Sequence, residues 1–292
     1  MALRSPVSID KREKLAGGGA ANGPILTAAF TNRGKIMSTI LPKLFSIFRA
    51  AGYEPLTGHS PFHFQNWRDA PFTQFVKDSE IVGCPGLALQ EVMFLEHFRD
   101  FVAPRRILII GNAHGWSTVA MSLIFPDART VAMDIDEIGV ERTNEVIATY
   151  GMSAIAVTAR SPTDVATVIR NHLGGAIDFC LIDAIHTEEA LIADFAAVRE
   201  VATQDALYLL HDVINWHLID GFNQLLAQHE LSGKVFTRTA SGMALAYRSL
   251  SPDFTAYLDC FTEPADTFRK LRQLCIGSFG DPIAPFHSGY RS

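Results

Sequence analysis

Between residues 103 and 250 short apolar runs recur, and each is followed by a stretch with helical spacing. The runs cover 105–110, 130–134, 154–158, 178–183 and 206–212. Runs that are apolar throughout, without alternation, are strands covered on both faces. A strand–helix–strand succession closes into a parallel sheet with helices on either side. The pattern therefore predicts an α/β chain built on a doubly wound, mostly parallel sheet. The region ends differently. Residues 235–239 and 243–247 flank Ser241-Gly242 and read as a hairpin, so the last strand pair is antiparallel.

The flanking segments have other textures. Residues 1–36 are rich in small and turn-forming residues and read as a flexible leader. Residues 37–102 read as a helical cap: Ile40, Leu41, Leu44, Phe45 and Phe48 recur at helix spacing, as do Leu89, Val92, Met93, Leu95 and Phe98. Between them lie an aromatic loop (Phe62, Phe64, Trp67, Phe72, Phe75) and a second loop at 80–86. Residues 251–292 read as one or two helices, over 254–261 and 267–274, and a Gly/Pro-rich tail. Hydrophobic residues make up 48% of the 292 and charged residues 19%, which excludes wholesale disorder. A net charge of -6 gives no global attraction to nucleic acid or to an anionic membrane. No apolar run reaches the roughly 18 residues a spanning helix needs. Cys84, Cys180, Cys260 and Cys275 are scattered, without zinc-site spacing, and fit a reducing cytoplasm.

The segment Ile109-Ile-Gly-Asn-Ala-His-Gly-Trp-Ser-Thr118 follows a strand and opens a helix. Gly111 permits a tight turn and lets a ligand lie against the backbone, and Gly115 lets the next helix start close to that ligand. The amides of Trp116, Ser117 and Thr118 then point into the crevice at the strand end. Asp134 ends the next strand, where a carboxylate accepts hydrogen bonds from ribose hydroxyls. The glycines are spaced G-x-x-x-G, with Ala113 where a dinucleotide fingerprint has its second glycine. That spacing and the terminal hairpin favour S-adenosylmethionine over a dinucleotide.

Four stretches carry a resemblance: 110–118, Val131-Ala-Met-Asp-Ile-Asp136, Asp178-Phe-Cys-Leu-Ile-Asp-Ala-Ile-His186 with Asp194, and Leu209-Leu-His-Asp-Val213. With them the span 80–248 resembles the class I S-adenosylmethionine-dependent methyltransferases. The likeness is strongest to the branch of catechol O-methyltransferase-like and small natural-product O-methyltransferases. The resemblance implies a seven-stranded sheet with an antiparallel strand. It also implies a cofactor site made by Gly111, Asn112, Gly115, Ser117, Asp134, Ser161 and Asp183, with Ser161 or its neighbours near the adenine. One departure stands out: relatives commonly carry an acid two before the first glycine, to anchor the amino-acid end of the cofactor, and here Ile109 occupies that position.

Asp183 and Asp212 end separate strands, and in a parallel sheet such ends meet at one edge. They match two of the positions at which related enzymes hold Mg²⁺ against a substrate's vicinal hydroxyls. The third is unmatched, since His211 and Val213 flank Asp212. The alternative is that both acids cap helices or bind strand-end amides. His186, three after Asp183, stands where some relatives carry the general base, and His211 is a second candidate. Either histidine alternatively orders its loop. His114 shapes the glycine turn. The aromatic stretch 62–75 (Phe62, Phe64, Trp67, Phe72, Phe75), Trp216 and Phe222 line an acceptor pocket or belong to the core. The reading is therefore O-methylation of a small-molecule acceptor, catalysed around Asp183, His186 and His211, with no nucleic-acid or membrane partner. A homodimer is the base-rate expectation. The other readings are a cofactor-holding module without turnover and a nicotinamide-dependent oxidoreductase.

Overall fold

The computed structural model describes residues 39–57 and 72–263, with Lys270, Gln273 and Leu274. All lie in one compact unit, Thr39–Ser292. The leader, Phe62, Phe64, Trp67 and most of the helix read at 267–274 lie outside the described residues.

The large sheet is built from β4 (Arg106–Ile110), β5 (Arg129–Asp134), β6 (Ala154–Thr158), β7 (Ile177–Ile182), β8 (Ala202–Leu210), β9 (Ser232–Val235) and β10 (Ala244–Tyr247). Its order is β6-β5-β4-β7-β8-β10-β9. The first five strands pair in parallel, and β10 is antiparallel to both β8 and β9. The first arm of the hairpin is thus 232–235, earlier than the apolar texture of 235–239 suggests. Phe236 belongs to the connecting loop, where its amide donates to the Met243 carbonyl.

Adjacent residues of each strand enter different cores. Ile107 and Ile109 of β4 face one cluster with Phe98, Trp116 and Phe254. Leu108 and Ile110 face another with Val165, Phe195 and Phe222. Helices α3 (Trp116–Ile124), α4 (Glu137–Tyr150) and α8 (Pro252–Asp259) cover the first face. Helices α5 (Val165–His172), α6 (Glu188–Glu200) and α7 (Ile219–His229) cover the second. At about 25 cal/mol per Å² of apolar surface, such two-sided burial supplies the main drive to fold.

The cap departs from the all-helical reading. α1 (Leu41–Ala50) and α2 (Leu89–Glu96) are there, α2 running into a 3-10 turn at His97–Asp100. Between the two helices β1 (Glu54–Leu56), β2 (Thr73–Lys77) and β3 (Glu80–Gly86) form a separate antiparallel sheet. The segment read as a loop at 80–86 is therefore a strand. The two-residue turn between β2 and β3 holds Asp78 at φ 51° and Ser79 at φ 68°. Two positive φ values suit the right-handed twist of a tight hairpin, but Asp-Ser lacks the glycine that usually announces such a turn. Glu96 binds α1 to α2: its carboxylate accepts from the Ile40 amide at 2.6 Å and the Thr39 hydroxyl at 2.8 Å, placing negative charge at the start of α1.

A left-handed Ser costs about 1 kcal/mol that a Gly does not. Ser79→Gly should therefore raise the urea midpoint by about that much stability, and an unchanged or lower midpoint would show that the turn is not held as described.

Candidate functional site

The chain runs outward from β4 to β6 and then returns to β7, so the loops leaving β4 and β7 diverge and open a crevice at their carboxyl ends. Backbone bonds continue the ladder past the strands: Gly111 N to Met133 O, Asp183 N to Ile110 O, His211 N to Ile182 O and Ala159 N to Asp134 O. Residues far apart in sequence, Gly111, Asp134, Asp183 and His211, are thereby set along one edge. A cavity of about 460 Å³ lies there, within the range of small-ligand sites. Gly111, Asn112, His114, Ser117, Asp134, Ser161, Asp183, His186 and Asp194 line it, with Phe75 and Gly86 of the cap as one wall.

The glycines are required by packing. Gly111 has φ +94°, and a Cβ there would lie 1.7 Å from the Asp183 carbonyl oxygen. Gly115 has φ +86°, and its Cβ would meet the Thr143 hydroxyl at 2.4 Å. The direction a Cβ would take is filled at these two positions by Asp183, just past β7, and by α4, while Gly111 still lines the cavity. Asn112 is likewise committed to the turn: Nδ2 donates to the Ala113 carbonyl and the Thr143 hydroxyl, and Oδ1 accepts from the Thr118 hydroxyl. Both of its N–H donors are thus spent, and one lone-pair position on Oδ1 remains. Trp116 anchors the turn to the cap through Nε1, which donates to the Leu87 carbonyl at 3.1 Å, and packs on Phe45 and Phe48. His114 is buried beside Arg142, with 3.0 Å from Nη1 to Nδ1, and burial and that cation lower its pKa.

Asp134 faces the crevice. One carboxylate oxygen accepts from the Ala113 amide at 2.7 Å and the other from the Asp136 amide at 3.0 Å. Each oxygen keeps a further lone-pair position. Past β6, the Ser161 hydroxyl donates to Asp194 at 2.5 Å, and burial raises the Asp194 pKa. Ile109 is fully buried in the apolar core.

Around Asp183 the crevice becomes ionic. His186 Nε2 lies 3.4 Å from Asp183 Oδ1 and 3.3 Å from Asp212 Oδ2. That nitrogen is itself buried and makes no hydrogen bond. Its ring stacks on Trp216 at 5.2 Å and 11°. His211 is 5% exposed and does not line the cavity. Its Nδ1 faces Asp183 Oδ1 at 3.1 Å and its Nε2 faces Glu91 Oε2 at 2.9 Å. Both ring nitrogens face carboxylates and neither opens on the cavity, so His211, read as a candidate base, stands behind Asp183 rather than at the crevice wall. Burial alone would favour neutral His211, but Asp183 and Glu91 push its pKa well above 6.5. Burial would likewise raise Asp183, but the histidines hold it far below the usual carboxylate range.

Asp183, His186, His211 and Asp212 bring ligand-type atoms within 4.8 Å of one another. The set does not fit Mg²⁺, which takes oxygen donors in octahedral geometry. Two of the four donors are imidazoles, and His211 is spent on Glu91 and Asp183. Val213, at the unmatched position, is fully buried and apolar. Asp212 instead accepts from Asn215 Nδ2 at 3.2 Å, with its own φ at 58°. Phe222 is core, whereas Trp216 is half-exposed over His186.

Glu91 is the residue that the sequence reading missed. It is fully buried on α2. A signal was present, because an acid at 91 falls on the apolar stripe of Ala88, Leu95 and Phe98.

Residues 108–213 match a family model described as a methyltransferase domain. No curated protein matches the sequence. Among solved structures, cofactor-bound Rv0187 from MTB is 20% identical, with 57% of this chain and 83% of that one covered and a TM-score of 0.49. The O-methyltransferase TomG from Streptomyces achromogenes, in complex with SAM, is 18% identical, with 56% and 80% covered and a TM-score of 0.46. An O-methyltransferase from Bacillus cereus in complex with SAH is 15% identical, with 73% and 91% covered and a TM-score of 0.46. Each is a distant likeness.

The ionic cluster has a pH signature. A raised folded pKa at His211 means that its stabilisation is complete below the unfolded value near 6.5 and is lost as pH rises through the folded value. Asp183, with a lowered folded pKa, contributes above the usual carboxylate range and is lost only in strong acid. The melting temperature should therefore fall as pH is raised from about 6.5 toward 9. A midpoint that holds or climbs across that interval would place a neutral ring at 211.

Proposed function

We propose that this chain, whose residues 108–213 match a family model described as a methyltransferase domain, transfers the methyl group of S-adenosylmethionine to the oxygen of a small-molecule acceptor. The observation that carries the reading is the crevice itself. One end presents Asp134 beside the glycine turn, and the other presents a buried, unsatisfied nitrogen of His186.

Each Asp134 oxygen has one position open for a ribose hydroxyl. Ser161 and Asp194 flank the place where the purine fits. Asp183 is the crevice acid next to Gly111 and supplies the charge to pair with the cofactor's ammonium, a role Ile109 cannot fill. The sulfonium brings its own leaving group, so the protein's contribution is alignment and a deprotonated nucleophile. The acceptor oxygen attacks the methyl carbon as the carbon–sulfur bond breaks, leaving S-adenosylhomocysteine, and the oxygen's proton passes to Nε2 of His186. Asp183 and Asp212 then stand where positive charge develops on that ring, and Trp216 lies flat against it. Desolvation of Nε2 without a partner costs free energy that an acceptor hydroxyl would recover.

In the same reading the protein works in the cytoplasm without Mg²⁺, and a homodimer is its expected assembly. The oxidoreductase alternative predicts protection by NAD(P) in place of S-adenosylhomocysteine.

Two substitutions test the two ends separately. Asp134→Ala should weaken S-adenosylhomocysteine binding by about 1–3 kcal/mol, roughly 5- to 150-fold in Kd by calorimetry. His186→Asn should leave that Kd within about twofold. It should lower turnover over a panel of catechols and phenols by roughly 10²–10⁴. Unaltered binding in the first variant removes Asp134 from the cofactor site. Undiminished turnover in the second removes His186 as the base.

A further inference from the structure

The Glu91 carboxylate is held by three tethers besides His211. Oε2 accepts from the Ala88 amide at 2.9 Å, at the start of its own helix. Oε1 accepts from the Ser241 amide at 2.8 Å and from the Ser241 hydroxyl. The group is fully buried, so it cannot turn toward water. Facing it is His211 Nε2 at 2.9 Å, while the opposite nitrogen faces Asp183 at 3.1 Å. A neutral imidazole has one N–H. With a carboxylate oxygen against each nitrogen, only a ring that donates at both ends makes both contacts attractive. The edge of Phe72 lies against the ring at 5.7 Å between centroids, which limits its rotation. The chain of contacts Glu91–His211–Asp183 therefore runs from the cap into the crevice and ends 3.4 Å from Nε2 of His186.

We propose that Glu91 is a positioning residue for the methyl transfer: it clamps the His211 ring as a double donor, and the ring in turn fixes the Asp183 carboxylate beside the nitrogen that accepts the proton. This rests on the methyl-transfer reading of the crevice. Glu91 touches neither cofactor nor acceptor. It couples the cap, through α2, to the chemistry at the end of β7. Without the clamp Asp183 is free to swing toward solvent, and the charge that receives the proton on His186 is no longer fixed.

The test uses the full chain labelled with ¹⁵N-histidine and saturated with S-adenosylhomocysteine. The native protein should show two hydrogen-bonded, slowly exchanging N–H protons on the His211 ring. Glu91→Gln keeps the shape but turns an amide against Nε2. It should lose the Nε2–H signal and lower kcat at least tenfold with KM for the acceptor within about threefold. A brace that merely supports the fold would move neither the N–H signal nor kcat. A Gln variant with both N–H signals and native kcat overturns the proposal. So does a single N–H on His211 in the native protein, which needs no variant to fold. If the native protein does not bind S-adenosylhomocysteine, the methyl-transfer reading fails, and the N–H pair still reports separately whether Glu91 clamps the ring.

Discussion

At the carboxyl edge of the sheet β4 and β7 are neighbours, yet the chain leaves them in opposite directions. No side chain can fill the gap between diverging loops without a helix or strand to carry it, so the crevice follows from strand order alone. Everything placed in it depends on how closely the two strand ends approach. Gly111 sets that distance, because any Cβ there would collide with the Asp183 carbonyl. The turn thus brings Asp134 and the ionic cluster at Asp183 into one cavity.

The ionic end places Glu91, Asp183 and Asp212 around two histidines, with Glu91 and His211 almost wholly out of water. Buried charges of this kind are tolerated only when paired and hydrogen-bonded. Glu91 meets that condition with four hydrogen bonds from three residues and His211 with two. His186 Nε2 does not meet it, and that is the physical reason for assigning the acceptor to this atom. A divalent cation was the alternative means of balancing the carboxylates, but a hard oxygen-seeking ion matches neither imidazole nor the buried Val213.

Much of the sheet was readable in advance, because continuous apolar runs at 105–110, 130–134, 154–158, 178–183 and 206–212 have few other uses. The crevice acids were readable for the same reason: Asp134 and Asp183 are the polar residues that end two of those runs, as Asp212 behind them ends a third. The small sheet of the cap was not. Its strands are short, and its turn uses Asp78 and Ser79 in a conformation that glycine usually occupies. The role of His211 was also hidden. Local sequence cannot show that Glu91, 120 positions away, meets its second nitrogen. Nor could it show that a Cβ at Gly111 or Gly115 would meet the protein's own backbone or Thr143.

Every role proposed for these residues requires that the cavity between β4 and β7 receive S-adenosylmethionine. A crystal structure with S-adenosylhomocysteine tests it most directly. The ribose hydroxyls should lie within hydrogen-bond distance of both Asp134 oxygens, the purine beside Ser161 and Asp194, and the sulfur on the side facing His186. A nucleoside bound elsewhere, or in this cavity with its ribose away from Asp134, would contradict the account.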